Sequence, residues 1–154
     1  MLLPPLESPQ MFSSSTATPY GRAPQFAQAY RQIAAETGVT DASPHRLVAM
    51  LFDGFVDSLV DARGAMREGD IERKGRAIGR ALRIIGEGLR GGLNMKAGGR
   101  LAQDLDQLYA YVTVRLTQGN LRNDTAALDE CQRLIEPVRE AWAAIAHPGG
   151  RHDA

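Results

Sequence analysis

The chain of 154 residues has little cysteine and little lysine: Cys131 stands alone, and Lys74 and Lys96 are the only lysines. One cysteine excludes an internal disulfide and suits a reducing compartment. No stretch approaches about 18 consecutive apolar residues, so no segment is expected to span a membrane. The opening "MLLPPLESPQ" has no basic flank, and Pro4 and Pro5 interrupt its apolar run, which makes it a poor signal peptide. Charge of one sign is also missing. Eighteen Lys and Arg balance eighteen Asp and Glu, so nothing in the totals recruits nucleic acid or an anionic membrane. These absences lead us to expect a soluble, cytoplasmic protein of one domain, long enough to bury a substantial core.

What is present divides unevenly. Residues 1–25 hold five of the eight prolines and the run "SSSTAT", a composition that buries little apolar surface. We expect a disordered tail there, with either Met1 or Met11 as the start. "QFAQAYRQIAAE" reads as a weak helix or docking arm. The bundle domain is expected over residues 26–146, and "HPGGRHDA" as a loose end from 147 to 154.

Four long segments then carry helical periodicity. Ser43 and Pro44 suit the N-cap and first position of the first helix. Leu47, Leu51, Phe55, Leu59, Ala62 and Met66 mark one stripe of it, and Val48, Phe52, Val56 and Val60 a second. "EGD" at 68–70 makes a turn, with Asp70 as the next cap. Ile71, Gly75, Ile78, Leu82, Ile85 and Leu89 share a face of the second helix. Leu101, Leu105, Leu108, Val112 and Leu116 mark the third, which "GNLRND" is expected to break. Asn123 or Asp124 can cap the fourth, whose core face is Leu128, Cys131, Ile135, Val138, Trp142 and Ile145; Pro137 should kink it. Each helix has about 20 residues, or about 30 Å of length. The expected fold is all-α, an antiparallel up-and-down four-helix bundle with a short N-terminal helix or arm.

Sites of chemistry are hard to find. "GGLNMKAGGRL", residues 91–101, has glycine pairs around a lysine. A phosphate-cradling loop needs glycines five positions apart followed by Lys and Ser or Thr, with a strand before it. Here Lys96 precedes Gly98 and no hydroxyl follows, so the stretch reads as a connection. Gly91 or Gly92 would end the second helix near a left-handed cap, and Gly98 and Gly99 would let the third begin close to a neighbour. His45, His147 and His152 lack the Glu three residues upstream that di-iron bundles use, so no metal or cofactor is expected. Cys131 sits on a core stripe as a small packed hydrophobe. Arg73, Arg76, Arg80, Arg83 and Arg90 form a basic row, and Asp53, Asp57 and Asp61 an acidic one; they read as solvated faces that can pair with each other. An enzyme is not expected. The apolar faces are wide. They either fill a generous core or leave surface for the arm, a second copy of the chain, or a partner helix.

Several segments together resemble a known family. "ASPHRLVAMLFDG", "GDIERKGRAIGRALRIIGEGL", "GGRLAQDLDQLYAYV", "GNLRNDTAALDE" and "EAW" are similar in order and spacing to the flagellar secretion chaperone family FliS, from about Gln25 to Ala146. The resemblance implies a non-enzymatic helical bundle. It implies a cytosolic chaperone that holds the disordered C-terminal segment of flagellin, prevents premature polymerisation and keeps it competent for the flagellar type III export apparatus. Tyr30 in "AQAYRQ" matches an N-terminal tyrosine that lies on the bundle in the family. The candidate partner-contacting residues are Tyr30, Leu47, Met50, Phe52, Ile78, Tyr109 and Asn120. Each either meets the partner or serves packing and capping. Gly119 stands where the family usually has alanine and is expected to loosen the end of the third helix. Sequestering a flagellar transcriptional regulator such as an anti-sigma factor is the alternative function, and a homodimer is a further expectation.

Overall fold

A computed structural model describes residues 43–145. Among the described residues, every regular element is helical: α1 (Pro44–Glu68), α2 (Ile71–Arg83), α3 (Gly99–Arg122) and α4 (Thr125–Ile145), with a π-helical stretch, Ile84–Arg90, continuing α2. The expected tails and the N-terminal arm, Tyr30 included, lie outside these residues.

The helix ends follow from side-chain chemistry. Ser43 accepts a hydrogen bond from the Arg46 N–H at 3.2 Å, and Pro44 follows it at the first position. Gly69, at φ 72°, ends α1 in the left-handed region that glycine enters without steric cost. Asp70 then accepts from the Arg73 N–H at 3.1 Å and starts α2. Asn123, at φ 54°, closes α3, and Asp124 accepts from the Ala126 N–H at 3.0 Å at the start of α4.

The third helix ends within "GNLRND", as expected: it runs to Arg122, where Asn123 supplies a left-handed cap. Three expectations need correction. No left-handed cap ends the second helix at Gly91, whose φ is −65°; the chain widens instead into i→i+5 bonding, with the Gly91 N–H on the Gly86 carbonyl at 2.8 Å. Gly99 does not serve close packing. Gly99 has φ +58° and open space where a Cβ would be, so its need is conformational. Gly119, by contrast, is the close approach: a Cβ there would stand 2.8 Å from Leu128 Cδ1 and 3.0 Å from Ala127 Cβ. α4 passes through Pro137, which sits on the exposed side, where water can take up the carbonyl that loses its partner.

The core joins all four helices. Leu51, Phe52, Phe55 and Leu59 of α1 pack with Ile78 and Ala81 of α2, Tyr109, Val112 and Leu116 of α3, and Leu128, Cys131 and Ile135 of α4. Leu93 anchors the 91–98 connection into the same cluster. The expected second stripe on α1 is core for Val48 and Phe52, but Val60 points outward. Ile71, Leu101 and Ile145, placed on core faces by periodicity, are exposed helix-end residues. No described helix is long and apolar enough to cross a membrane.

Candidate partner-binding surface

The residues singled out in the sequence mostly build the interior. Phe52, Ile78 and Tyr109 are fully buried, and Leu47 nearly so. Met50 packs against the edge of the core. Asn120 is half-buried, and its carbonyl accepts from Lys74 Nζ at 3.1 Å, which ties the end of α3 to the start of α2. Lys74 Nζ also donates to Asn123 Oδ1 at 3.1 Å. These residues do not come together on one surface of the described structure.

A different surface emerges from α3. Ala102, Tyr109, Val112, Leu116 and Gly119 are buried on one side of it. At about 100° per residue, the opposite side carries Gln107, Ala110, Tyr111, Val114, Gln118 and Leu121. This outer strip has no charge along its centre. Tyr111 is 46% exposed, Val114 54% and Leu121 81%. The sequence signal was available: at positions that cannot reach the core, side chains are uncharged where a solvated face normally carries Lys, Glu or Arg. The wide apolar faces left open whether they fill a core or meet a partner, because the wheel alone does not say where a neighbour ends.

One edge of the strip is fixed by a polar cluster. Tyr111 Oη donates to Glu130 Oε2 at 2.6 Å. Arg115 Nε donates to Glu130 Oε1 at 2.7 Å, and its Nη1 to Gln118 Oε1 at 2.8 Å. The hydrogen bonds from Tyr111 and Arg115 lower the Glu130 pKa, and the bond to Glu130 raises that of Tyr111. The Tyr111 side chain is thus tethered to α4 without being buried.

The two ends of the molecule are closed differently. At the end holding both tight turns, Ala65, Met66, Gly69, Asp70, Ile71, Lys74 and Asn123 line an open cavity of about 350 Å³. At the other, His45 and Trp142 stack with centroids 4.8 Å apart. His45 Nε2 donates to the Trp142 carbonyl and Trp142 Nε1 to the His45 carbonyl, each at 2.9 Å, so the start of α1 is pinned to the end of α4.

The basic and acidic rows pair only in part. Arg73 meets Asp61 and Glu68, each at 2.8 Å. Asp53 instead pairs with Arg139 of α4, and Arg90 with Asp106 of α3. Arg80 turns inward, donating to the Gly54 carbonyl at 3.0 Å and Ser58 Oγ at 2.8 Å. Arg73, Arg80 and Arg90 therefore link neighbouring helices, whereas Arg76 and Arg83 lie exposed.

The sequence profile of the family described as "Flagellar protein FliS" matches residues 26–149, which takes in all four helices. The chain belongs to the FliS family. It is 45% identical over 118 residues to the flagellar secretion chaperone FliS of Salmonella typhimurium, covering 77% of this chain and 87% of the relative. It is 46% identical over 118 residues to the flagellar secretion chaperone FliSB of Pseudomonas aeruginosa, covering 77% and 93%. The Vibrio cholerae flagellar secretion chaperone FliS is 39% identical over 118 residues, with 77% and 86% covered. FliS membership places the chain in a chaperone family of flagellum biogenesis with a helical fold. The resemblance read from "LFDG", "LYAY" and "GNL" thus rests partly on residues that make the FliS core, since Phe52 and Tyr109 are buried.

Proposed function

We propose that this FliS-family chain is a cytosolic, non-enzymatic flagellar export chaperone that binds the disordered C-terminal segment of flagellin. Binding keeps that segment from polymerising early and holds it ready for the export apparatus. Family membership supports the chaperone role. The observation that supports a client surface is the uncharged outer strip of α3, with Tyr111, Val114 and Leu121 exposed. An amphipathic segment that folds on binding can lay its apolar face on such a strip. Its ordering cost keeps affinity moderate for the area covered, which suits a client that must later be released. Around the strip we infer the antiparallel up-and-down arrangement, because the start of α1 is pinned to the end of α4 and the start of α2 to the end of α3.

Calorimetry of the purified chain with flagellin tests this. One-to-one binding to full-length flagellin is expected, with loss of binding when the flagellin C-terminal segment is deleted. Undiminished binding to the truncated flagellin would sink the reading. Val114→Glu, which puts a charge in the middle of the strip, should weaken the complex about tenfold or more, the equivalent of about 1.4 kcal/mol.

A further inference from the structure

The outer strip of α3 is complementary to itself. Asp104 and Arg122 are 18 residues apart, about five full helical turns, so they lie on one line along α3 roughly 27 Å apart. Both are exposed. Between them run the exposed Tyr111 and Val114, with the amides of Gln107 and Gln118 to either side. Asp104 has only a 4.0 Å contact with Arg100, both side chains well exposed, and Arg122 makes no ion pair among the described residues.

We infer that a second copy of this chain docks on this face, the two α3 helices running antiparallel about a two-fold axis that passes between Tyr111 and Val114. Such an axis, perpendicular to the helices, brings the Asp104–Arg122 line onto its own copy in reverse. Each Asp104 then meets the Arg122 of the second copy, giving two ion pairs for one contact. Val114 falls beside the second Tyr111, and Gln107 beside the second Gln118, where amide can donate to amide. An isologous interface demands this kind of self-match, with the same patch on both sides. A parallel pairing would set Asp104 against Asp104 and Arg122 against Arg122, so the end charges select the antiparallel register. Arg115, which nears its own copy at the axis, is already neutralised by Glu130 at 2.7 Å and bonded to Gln118.

The inference concerns the chain without any client, so it stands or falls apart from the flagellin reading. Sedimentation equilibrium of the full chain over a range of micromolar concentrations tests it, with far-ultraviolet circular dichroism confirming that each variant is helical. A monomer–dimer equilibrium is expected. Arg122→Asp and Asp104→Arg should each raise the dissociation constant about tenfold, and the double exchange should bring it back toward the original value. Val114→Glu should leave a monomer. A chain that stays monomeric throughout overturns the inference. So does a dimer indifferent to Val114→Glu, or a double exchange no better than the single changes.

Discussion

Cys131 shows how burial alone sets the chemistry of a side chain. Its thiol lies in the core, with Sγ 3.7 Å from the Val112 carbonyl, and desolvation pushes its pKa from 9.0 up to about 12. The thiolate is the reactive form. Native protein at pH 8 should therefore resist iodoacetamide, while denatured protein reacts fully; rapid labelling of the native chain would contradict the burial. The linkage has a definite sign. The folded pKa lies above the unfolded one, so the folded state is favoured below about pH 9 and that contribution fades as the pH climbs from about 9 to about 12. Glu130 works the opposite way. Hydrogen bonds from Tyr111 and Arg115 depress its pKa, so its contribution is present above the ordinary carboxylate range and fades as the pH falls through the lowered value. Tyr111→Phe removes the first of these bonds. The Glu130 carboxyl should then titrate at higher pH, which carbon-detected NMR would register; an unmoved titration would mean the 2.6 Å bond does not persist in solution. Trp142 offers a third check, as the only tryptophan. Removing its stacked partner by His45→Ala should shift its fluorescence to the red as water reaches the ring.

At the scale of elements, single glycines decide how closely helices meet. Gly119 stands where α3 crosses the first turn of α4, and a methyl there would collide with Leu128 Cδ1, Ala127 Cβ and, at 3.3 Å, the Asp124 backbone oxygen. Backbone cannot swing aside as a side-chain tip can. Gly119→Ala should thus cost about 1–3 kcal/mol despite alanine's better helix propensity, seen as a lower thermal midpoint. A raised midpoint would show that propensity outweighs packing. Gly64 makes the contrast. Its nearest neighbour is Arg73 Nη2 at 3.0 Å, the far end of a flexible chain, so Gly64→Ala should be tolerated far better. The π-helical stretch after α2 obeys similar logic. With Gly86 and Gly88 weakening the ordinary ladder, the backbone widens to a π-helical turn and still buries Ile84, Ile85 and Leu89.

For the whole molecule, the clasp at one end and the Lys74 bridge at the other hold four helices whose connections are short. Between them, α3 carries a strip that its neighbours leave open. Client binding and self-association are both argued from that strip, and both are sensitive to a charge at Val114. The end charges separate them: exchanging Asp104 and Arg122 tests the dimer register and makes no use of the client. The FliS relationship supports a chaperone of flagellar export whichever way those measurements fall.

The sequence by itself determined the helices, their caps and most of the core. Apolar residues at helical spacing must be sequestered together, and Ser43, Asp70 and Gly69 act through bonds within a few residues of themselves. It also carried the family resemblance. It did not determine which apolar residues lie outside. Ile71 and Leu101 fit helical patterns as well as Ile78 and Leu116 do, yet Ile71 is 75% exposed and Ile78 is buried. Periodicity gives an angle around one helix, whereas burial depends on where the next helix stops. Nor could it assign Gly119, read as a loosened helix end until Leu128 was seen packed against it. The "GGLNMKAGGRL" stretch was legible as a connection, but its inward Leu93 and its left-handed Gly99 came only with the tertiary structure. Local chemistry writes the elements, and long-range packing decides which of their faces remain for a partner.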